Sequence, residues 1–217
     1  MTSHGARETG GTLVDHSRRL ETELGCPPLI RLAGKRPLDR GWTTGPRDDP
    51  DGWRSRLARH DGNVGMVCGH GLVVVDVDGY KPEAAASVDE LDRRGLPATR
   101  EAETGSGGRH LVYRVGRPVA SGPLRGFPGV DVKADGGQVV VAPSVHPDSG
   151  RPYRWVNRVE PVLLPGWLEE LLGAPAGMCT TVHIPAVVTG KVSTTVDIPA
   201  VGRPCRQNGW TVEIAIF

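Results

Sequence analysis

The sequence has few cysteines, few aromatic residues and almost no net charge. Its cysteines are widely separated and form no Cys-x-x-Cys pair, which argues against a zinc site and against a disulfide framework. The formal charge of +1 gives no sign of the strongly basic surface that many dedicated nucleic-acid binders carry. No apolar run approaches membrane-spanning length, and residues 1–11 are polar rather than signal-like. We therefore expect a cytoplasmic protein with no membrane contact.

Glycine and proline, in contrast, are abundant, at 30 and 19 of the 217 residues. With an apolar share of 38%, this composition indicates short elements and many turns rather than a helical bundle. We expect a disordered N-terminus over residues 1–11, one domain over 12–173 and an extended tail over 174–217. In that tail the segment 180–187 recurs almost unchanged at 194–201, and two copies are too few for a solenoid.

The hydrophobic periodicity predicts an alternation of short strands with a few helices. Helices are expected over residues 13–24, 49–60, 82–94 and 165–172. Strands are expected over 28–32, 63–68, 72–78, 99–104, 109–115, 130–133, 139–142 and 153–156. Short glycine-containing turns predict that 63–68 pairs with 72–78 and that 130–133 pairs with 139–142, each as a hairpin.

Two acidic residues end the most apolar of these strands. Asp76 and Asp78 follow the buried-type run 72–75, and alternation along a strand places both on one face. Like charges on one face repel and are costly to bury without a cation between them, for which a divalent metal ion is a candidate. A half-exposed strand that enters a turn at Asp78 is the simpler alternative, and the pair alone does not decide between them.

A third acid, Asp131, alternates with valines and lies on the same strand face as Lys133. A solvated strand face explains this pattern equally well. If Asp131 joins Asp76 and Asp78, three carboxylates could hold two Mg²⁺ or Mn²⁺ ions, the arrangement used for phosphoryl transfer.

A glycine-rich turn precedes a histidine, and it is the main candidate for phosphate binding. Gly107 and Gly108 permit close approach of backbone N–H groups, with Ser106 beside them. Arg109 and His110 are expected to supply donors at the same spot, and Lys133 could add a charge from a neighbouring strand. A glycine turn with incidental polar neighbours is the alternative. A second basic segment, the turn that contains Lys35, could reach a nucleic-acid backbone or simply be solvated; it does not match a Walker A loop.

Taken in order, these segments resemble the bifunctional DNA primase/polymerase (prim-pol) domain of the archaeo-eukaryotic primase superfamily, over about residues 25 to 173. The ordered set is specific, although each segment alone is not. The segments that carry the resemblance are Lys35-Arg36-Pro37 with Gly41-Trp42, residues 63–69, Val74 to Asp78, Thr104 to Tyr113, Gly129 to Lys133, Val140 to Ser144, Tyr153-Arg154-Trp155, and Leu164 to Leu168.

The resemblance implies an α+β fold, an RRM-like and mainly antiparallel sheet with flanking helices, plus a small N-terminal α/β unit. It implies that Asp76, Asp78 and Asp131 bind two divalent ions, Mg²⁺ or Mn²⁺, and that His110 contacts the phosphates of the incoming nucleotide. The nucleotide-binding set would comprise Ser106, Gly107, Gly108, Arg109, His110 and Lys133. Lys133 departs from the family, which often has arginine at this position, and so loses bidentate geometry.

The function implied is that of a DNA primase/polymerase. It would transfer nucleotides to a 3′-end on a single-stranded DNA template, with NTP or dNTP as substrate, in the replication of a mobile or phage-like element. Many relatives continue into a helicase domain, which makes a separately encoded helicase a candidate partner. Two alternatives stay open at this point: a non-catalytic single-strand-binding accessory module that keeps the fold, and a two-metal nuclease.

Overall fold

The computed structural model describes residues 13–25 and 27–172. The disordered N-terminus and the extended tail that the sequence predicts lie outside these residues, so the domain limits stay predictions. The helices are α1 (Leu13–Leu24), α2 (Gly45–Asp48), α3 (Pro50–Leu57), α4 (Ala85–Arg94) and α5 (Gly166–Leu171), with a 3-10 turn at Pro82–Ala84. The strands are β1 (Leu29–Ala33), β2 (Arg36–Pro37), β3 (Asn63–Val67), β4 (Leu72–Val77), β5 (Arg100–Glu103), β6 (Arg109–Arg114), β7 (Gly122–Pro123), β8 (Val130–Lys133), β9 (Gln138–Val140) and β10 (Arg154–Trp155).

The larger of two sheets has six strands in the order β10-β5-β6-β4-β8-β7, all antiparallel. Strand β4 lies in its interior because its residues are apolar on both faces. Val73 and Val75 pack on one face and Leu72 and Val74 on the other, all of them buried. A strand that is buried on both faces needs a paired neighbour on each side.

The smaller sheet has four antiparallel strands in the order β2-β1-β3-β9. Neither predicted hairpin forms, so both pairing predictions were wrong. Strand β3 pairs with β1 and β9 in the smaller sheet, whereas β4 pairs with β6 and β8 in the larger one. The glycine-containing segments 68–71 and 134–137 therefore carry the chain from one sheet to the other instead of reversing it within a sheet.

Asp135 holds these two crossings together. Its carboxylate accepts hydrogen bonds from the backbone N–H of His70 (3.3 Å) and of Val119 (3.2 Å). The backbone N–H of Cys68 donates to the carbonyl of Gly137 (3.0 Å). Gly69 has φ +95°, and a Cβ atom there would lie 2.1 Å from the Asp135 carboxylate, so this position requires glycine.

Three apolar clusters fill the space around the sheets. The first lies between the larger sheet and helices α4 and α5, with Tyr113, Leu91 and Leu168 fully buried. The second lies where α1 and both sheets meet, and the third covers the smaller sheet beside α3. The fold is thus a mixed α/β arrangement of antiparallel sheets with a few helices, as the sequence predicts.

The smaller unit is not purely N-terminal, however, because β9 comes from late in the chain. Within residues 13–25 and 27–172, no helix combines the length and the apolarity needed to cross a bilayer.

Candidate active site

The site is built on one row of directly opposed residues in the larger sheet. Asp76 of β4 stands opposite His110 of β6 on one side and opposite Asp131 of β8 on the other. Directly opposed residues of antiparallel strands have Cβ atoms about 4.5–5.5 Å apart. The register therefore brings these three side chains together on one face, the face that Leu72 and Val74 occupy further back along β4.

Asp76 and His110 are in contact near the centre of this row. Nε2 of His110 lies 3.4 Å from Oδ1 of Asp76, and the two side chains are 9% and 19% exposed. Burial raises the pKa of the Asp76 carboxyl, but the hydrogen bond and charge of His110, together with the charges of Lys133 and Lys35, outweigh it. The net pKa lies below the ordinary carboxyl value. Asp76 is therefore held as a carboxylate although it is mostly buried.

Lys133 supplies a cation between two of the acids. Its Nζ lies 2.7 Å from Oδ2 of Asp131 and 3.9 Å from Oδ2 of Asp76. Both Asp131 and Lys133 point to the Asp76 face because they are two residues apart on β8. The ammonium group of Lys133 therefore offsets the repulsion between the carboxylates of Asp76 and Asp131.

Asp78 lies just beyond the end of β4, where its backbone N–H donates to the carbonyl of Gly129 (2.8 Å). Its carboxylate binds Nζ of Lys81 at 2.6 Å, and both side chains are partly exposed. Each of the three acids thus has a cationic side chain within 4 Å. In the part of the chain that the structure describes, no three His, Cys, Asp or Glu side chains are gathered closely enough to hold a metal ion as they stand.

The donor chemistry nevertheless suits a hard divalent cation. Carboxylate oxygens are the ligands that Mg²⁺ and Mn²⁺ prefer. Asp76 and Asp131 stand directly opposite each other on the adjacent strands β4 and β8. Lys133 neutralises Asp76 and Asp131, and Lys81 neutralises Asp78; the two lysine side chains are 27% and 39% exposed. The three acids fit a metal-binding role once these ion pairs open.

The glycine-rich turn between β5 and β6 is closed by Thr104. Its carbonyl accepts the N–H of Gly107 (2.9 Å), and its Oγ1 accepts the N–H of Gly108 (2.8 Å) and lies 3.0 Å from Oγ of Ser106. The two amides that were expected to face a phosphate are therefore engaged inside the turn. Gly108 is required for packing, since a Cβ atom there would lie 2.6 Å from the carbonyl oxygen of Val77.

Arg109 is not brought together with His110. Successive residues of a strand point to opposite faces, and Arg109 lies on the α4 side of the sheet, with Nη1 4.0 Å from Oε1 of Glu101. There it helps to line a cleft of about 430 Å³ with residues of α4 that include Val88 and Asp89. The pairing of these two donors that the sequence suggested does not occur.

Lys35 and Tyr153 lie near the row, and His146 packs against Tyr153. Lys35, in the turn between β1 and β2, is near enough for its charge to lower the pKa of both Asp76 and His146. The ring of Tyr153 lies 5.9 Å from that of His110, and burial, with the charges of Asp76 and Asp78 among the smaller contributions, raises the pKa of Tyr153 to about 12. Lys35 was visible in the sequence as a basic turn residue. The proximity of Tyr153 and His146 depends on a long-range packing contact that periodicity does not reveal.

Comparison with known families gives one match. Residues 20–167 match the family described as Prim-Pol, Bifunctional DNA primase/polymerase, N-terminal. The match covers more than half of the chain and includes the row of Asp76, His110 and Asp131. The resemblance inferred from the ordered motifs is therefore confirmed. A search among curated proteins finds no match.

Proposed function

The chain belongs to the Prim-Pol family of bifunctional DNA primase/polymerase N-terminal domains, and on that premise we propose that it transfers nucleotides to the 3′-end of a strand on a single-stranded DNA template. The observation that carries the proposal is the opposition of Asp76 to both His110 and Asp131 across three adjacent strands. This row combines carboxylates, which can hold divalent ions, with a histidine, which can donate to a phosphate.

The substrates would be single-stranded DNA and an NTP or dNTP. Membership of the family supports nucleic-acid and nucleotide substrates, and on the same analogy we place the reaction in the replication of a mobile or phage-like element. A separately encoded helicase would supply the strand separation that a single-stranded template requires.

Asp76, Asp78 and Asp131 would hold two divalent ions, Mg²⁺ or Mn²⁺. When bound, such ions lower the barrier to attack by a 3′-oxygen on the α-phosphate and neutralise the triphosphate. The support in this chain is that Asp76 stays ionised in a mostly buried position and that Asp131 faces it from the next strand.

His110, Lys133 and Lys35 would bind the phosphates. Lys133 is ion-paired with the same carboxylates that would hold the metal ions. When those carboxylates bind metal ions, its ammonium group would be released to contact a triphosphate. His110 would donate a ring N–H to a phosphate, and charge-assisted hydrogen bonds of this kind stabilise charge that develops on transferring phosphates. Ser106 adds a hydroxyl, and Gly107 and Gly108 keep the adjacent turn close to the end of β4. Arg109 would act only from the other face of the sheet.

One observation favours a second function, a non-catalytic single-strand-binding module. Among the described residues, each of Asp76, Asp78 and Asp131 already has a cationic partner within 4 Å. A chain that keeps these ion pairs closed would retain the fold and the basic groups without binding metal ions.

Primer extension on a single-stranded template separates the two functions. The wild type is compared with Asp76→Ala in the presence of Mg²⁺ or Mn²⁺, with NTP and dNTP supplied in separate reactions. Because members of a catalytic site act as a unit, we expect Asp76→Ala to lower incorporation by about 10³-fold or more. Asp51→Ala is the control, since Asp51 is an almost fully exposed aspartate on α3.

Each outcome has a distinct meaning. Incorporation by the wild type and by the control, with loss in Asp76→Ala, supports the polymerase. Template binding without incorporation by the wild type overturns it in favour of the binding module. Degradation of the labelled strand that depends on Asp76 overturns it in favour of a metal-dependent nuclease.

A further inference from the structure

Three aromatic rings lie side by side at the end of the catalytic row. The ring centroids of His110 and Tyr153 are 5.9 Å apart with an interplanar angle of 32°, and those of Tyr153 and His146 are 6.2 Å apart at 23°. All three side chains are buried. At these separations aromatic rings attract one another and restrict one another's rotation. Tyr153 is the middle ring and contacts both neighbours.

The far end of this stack is fixed to a tight turn, residues 146–151. Nδ1 of His146 accepts the backbone N–H of Asp148 (3.2 Å) and of Ser149 (3.4 Å). The backbone N–H of His146 donates to the carbonyl of Arg151 (2.9 Å), and the N–H of Tyr153 donates to the carbonyl of Ser144 (2.8 Å). Backbone hydrogen bonds and the contact between their rings therefore both fix the positions of His146 and Tyr153.

The same turn also forms hydrogen bonds with the glycine-rich turn that precedes His110. Ser149 Oγ (2.7 Å) and Arg151 Nε (2.8 Å) both donate to the carbonyl of Gly105. A Cβ atom on Gly105 would lie 2.3 Å from Cβ of His146, so the contact is close enough to require glycine. Residues 146–151 thus brace both the ring of His110, through Tyr153, and the turn before it.

His110 needs such a brace because of how the site would operate. Its polar contact within the row is with Asp76, at 3.4 Å, near the long end of hydrogen-bond distances. In the proposed function Asp76 would bind a metal ion, and its contact with His110 would then be weaker. The ring contact with Tyr153 does not use the Asp76 carboxylate and persists.

We propose that Tyr153 is a positioning residue, whose ring holds the imidazole of His110 in place to receive the nucleotide phosphates, with residues 146–151 as its support. This inference rests on the proposed function for the identity of the ligand. The effect of Tyr153 on the position of the His110 ring does not depend on that function and is measured separately.

The test compares Tyr153→Phe, which keeps the ring, with Tyr153→Leu, which removes it. Tyr113 provides the matched control: it is a fully buried tyrosine of the same sheet, its hydroxyl donates to the carbonyl of Pro97 (3.1 Å), and it packs on the opposite face from His110. The first readout is the NMR chemical shift of the carbon-bound ring protons of His110, without metal or nucleotide. The second is kcat and KM for the nucleotide in primer extension.

We expect Tyr153→Leu to move the His110 ring signals towards those of a free imidazole, as the ring-current effect of Tyr153 is lost. We expect KM for the nucleotide to rise by about 10- to 100-fold, the usual cost of losing a group that orients a site residue. Tyr153→Phe should keep both values near wild type. Tyr113→Leu should lower thermal stability but leave the His110 signals where they are.

Unchanged His110 signals in a folded Tyr153→Leu variant would overturn the proposal, as would equal losses in Tyr153→Phe and Tyr153→Leu. If Tyr153→Leu does not fold, His146→Ala, which leaves Tyr153 without its outer support, is measured in the same way, and unchanged His110 signals there would also overturn it. If the wild type incorporates no nucleotide, the proposed function fails, and the NMR comparison still decides whether Tyr153 places His110.

Discussion

The ammonium group of Lys133 lies between two carboxylates, 2.7 Å from Asp131 on its own strand and 3.9 Å from Asp76 on the next. A divalent ion bound by the same acids would carry twice the charge of the lysine, and both cations would compete for the same oxygens. Metal binding and release of Lys133 should therefore be linked. We expect the lysine to neutralise the acids without a metal ion and to become available to a phosphate once a metal ion binds.

Removing the ammonium should strengthen metal binding. In Lys133→Met, which keeps the length of the side chain, Asp76 and Asp131 face each other without a cation between them. We expect a loss of about 1 kcal/mol or less in unfolding free energy without metal, since Lys133 and Asp131 are partly exposed. Mn²⁺ should then raise the melting temperature by more than in wild type, as measured by thermal denaturation across an Mn²⁺ titration.

Arg93→Met is the control for Lys133→Met. It removes an exposed ion pair three residues apart on α4 and far from the row, so its Mn²⁺ response should equal that of the wild type. An equal Mn²⁺ response in Lys133→Met would contradict competition between the lysine and the metal.

Asp76 should make the stability depend on pH in the acid range. The folded-state pKa of this group lies below its ordinary value of 3.8, so its contribution to stability is complete above that value and is lost as the pH falls through the folded-state pKa. We expect the free energy of unfolding of the wild type to fall more steeply below about pH 4 than that of Asp76→Asn.

Denaturant titrations between pH 3 and pH 6 measure this difference. Asp51→Asn, which alters an almost fully exposed carboxyl group, should follow the wild-type curve. Parallel curves for Asp76→Asn and wild type would show that the row does not hold Asp76 in its ionised form.

A buried arginine fastens α1 to the larger sheet. Arg100 is fully buried, its Nη2 donates to the carboxylate of Glu23, and its guanidinium lies 4.4 Å from the ring centroid of Trp155. Glu23→Ala leaves that guanidinium buried without its countercharge, which should cost about 3–5 kcal/mol of unfolding free energy. Urea denaturation of the variant measures the loss.

Glu21→Ala gives the comparison on the same helix. Glu21 pairs at 3.4 Å with Arg54, whose side chain is 48% exposed, so this variant should lose no more than about 1 kcal/mol. Similar losses in the two variants would mean that burial of Arg100 does not set the strength of the contact.

Gly108 should not tolerate a side chain. The Cβ atom of alanine would lie 2.6 Å from the carbonyl oxygen of Val77, and because that atom is backbone, β4 or the turn must shift. We expect Gly108→Ala to lower the unfolding free energy by about 1–3 kcal/mol. Gly116→Ala, at a position with nothing within 4 Å of the added atom, should stay within about 0.5 kcal/mol of wild type. A neutral Gly108→Ala would indicate that the turn is free to move away from β4.

Local patterns in the sequence predict much of the row. Alternation along β4, β6 and β8 is enough to place Asp76, His110 and Asp131 on faces that a single register can bring together, and the observed register does so. The same alternation separates Arg109 from His110, a consequence that the expected pairing of these donors had overlooked. Most helices and strands also lie where periodicity places them, whereas β2 and β7, which have two residues each and include a proline, were not expected.

Local sequence patterns could not predict which distant strands pair with each other. A glycine-containing turn between two apolar runs looks the same whether the chain folds back within a sheet or passes to another one, so segments 68–71 and 134–137 were misread as hairpins. What distinguishes them is the carboxylate of Asp135, which binds the backbone of His70 and of Val119 across long stretches of sequence. Tyr153 was missed for a related reason, since its ring meets His110 only after β10 pairs with β5.

The chain passes from one sheet to the other between consecutive strands, and this limits where it can be divided into fragments. Strand β8, which carries Asp131, and strand β9, which completes the smaller sheet, are separated by one short crossing. The pairing of β8 with β4 in the larger sheet and the pairing of β9 with β3 in the smaller sheet therefore use segments that are neighbours along the chain. Because these pairings join segments that are distant in sequence, we expect their formation to be slow relative to local contacts. A fragment that ends before β8 would hold Asp76 and His110 but would lack both Asp131 and the strand that completes the smaller sheet, so we expect the candidate site to require the whole domain and not a separable half.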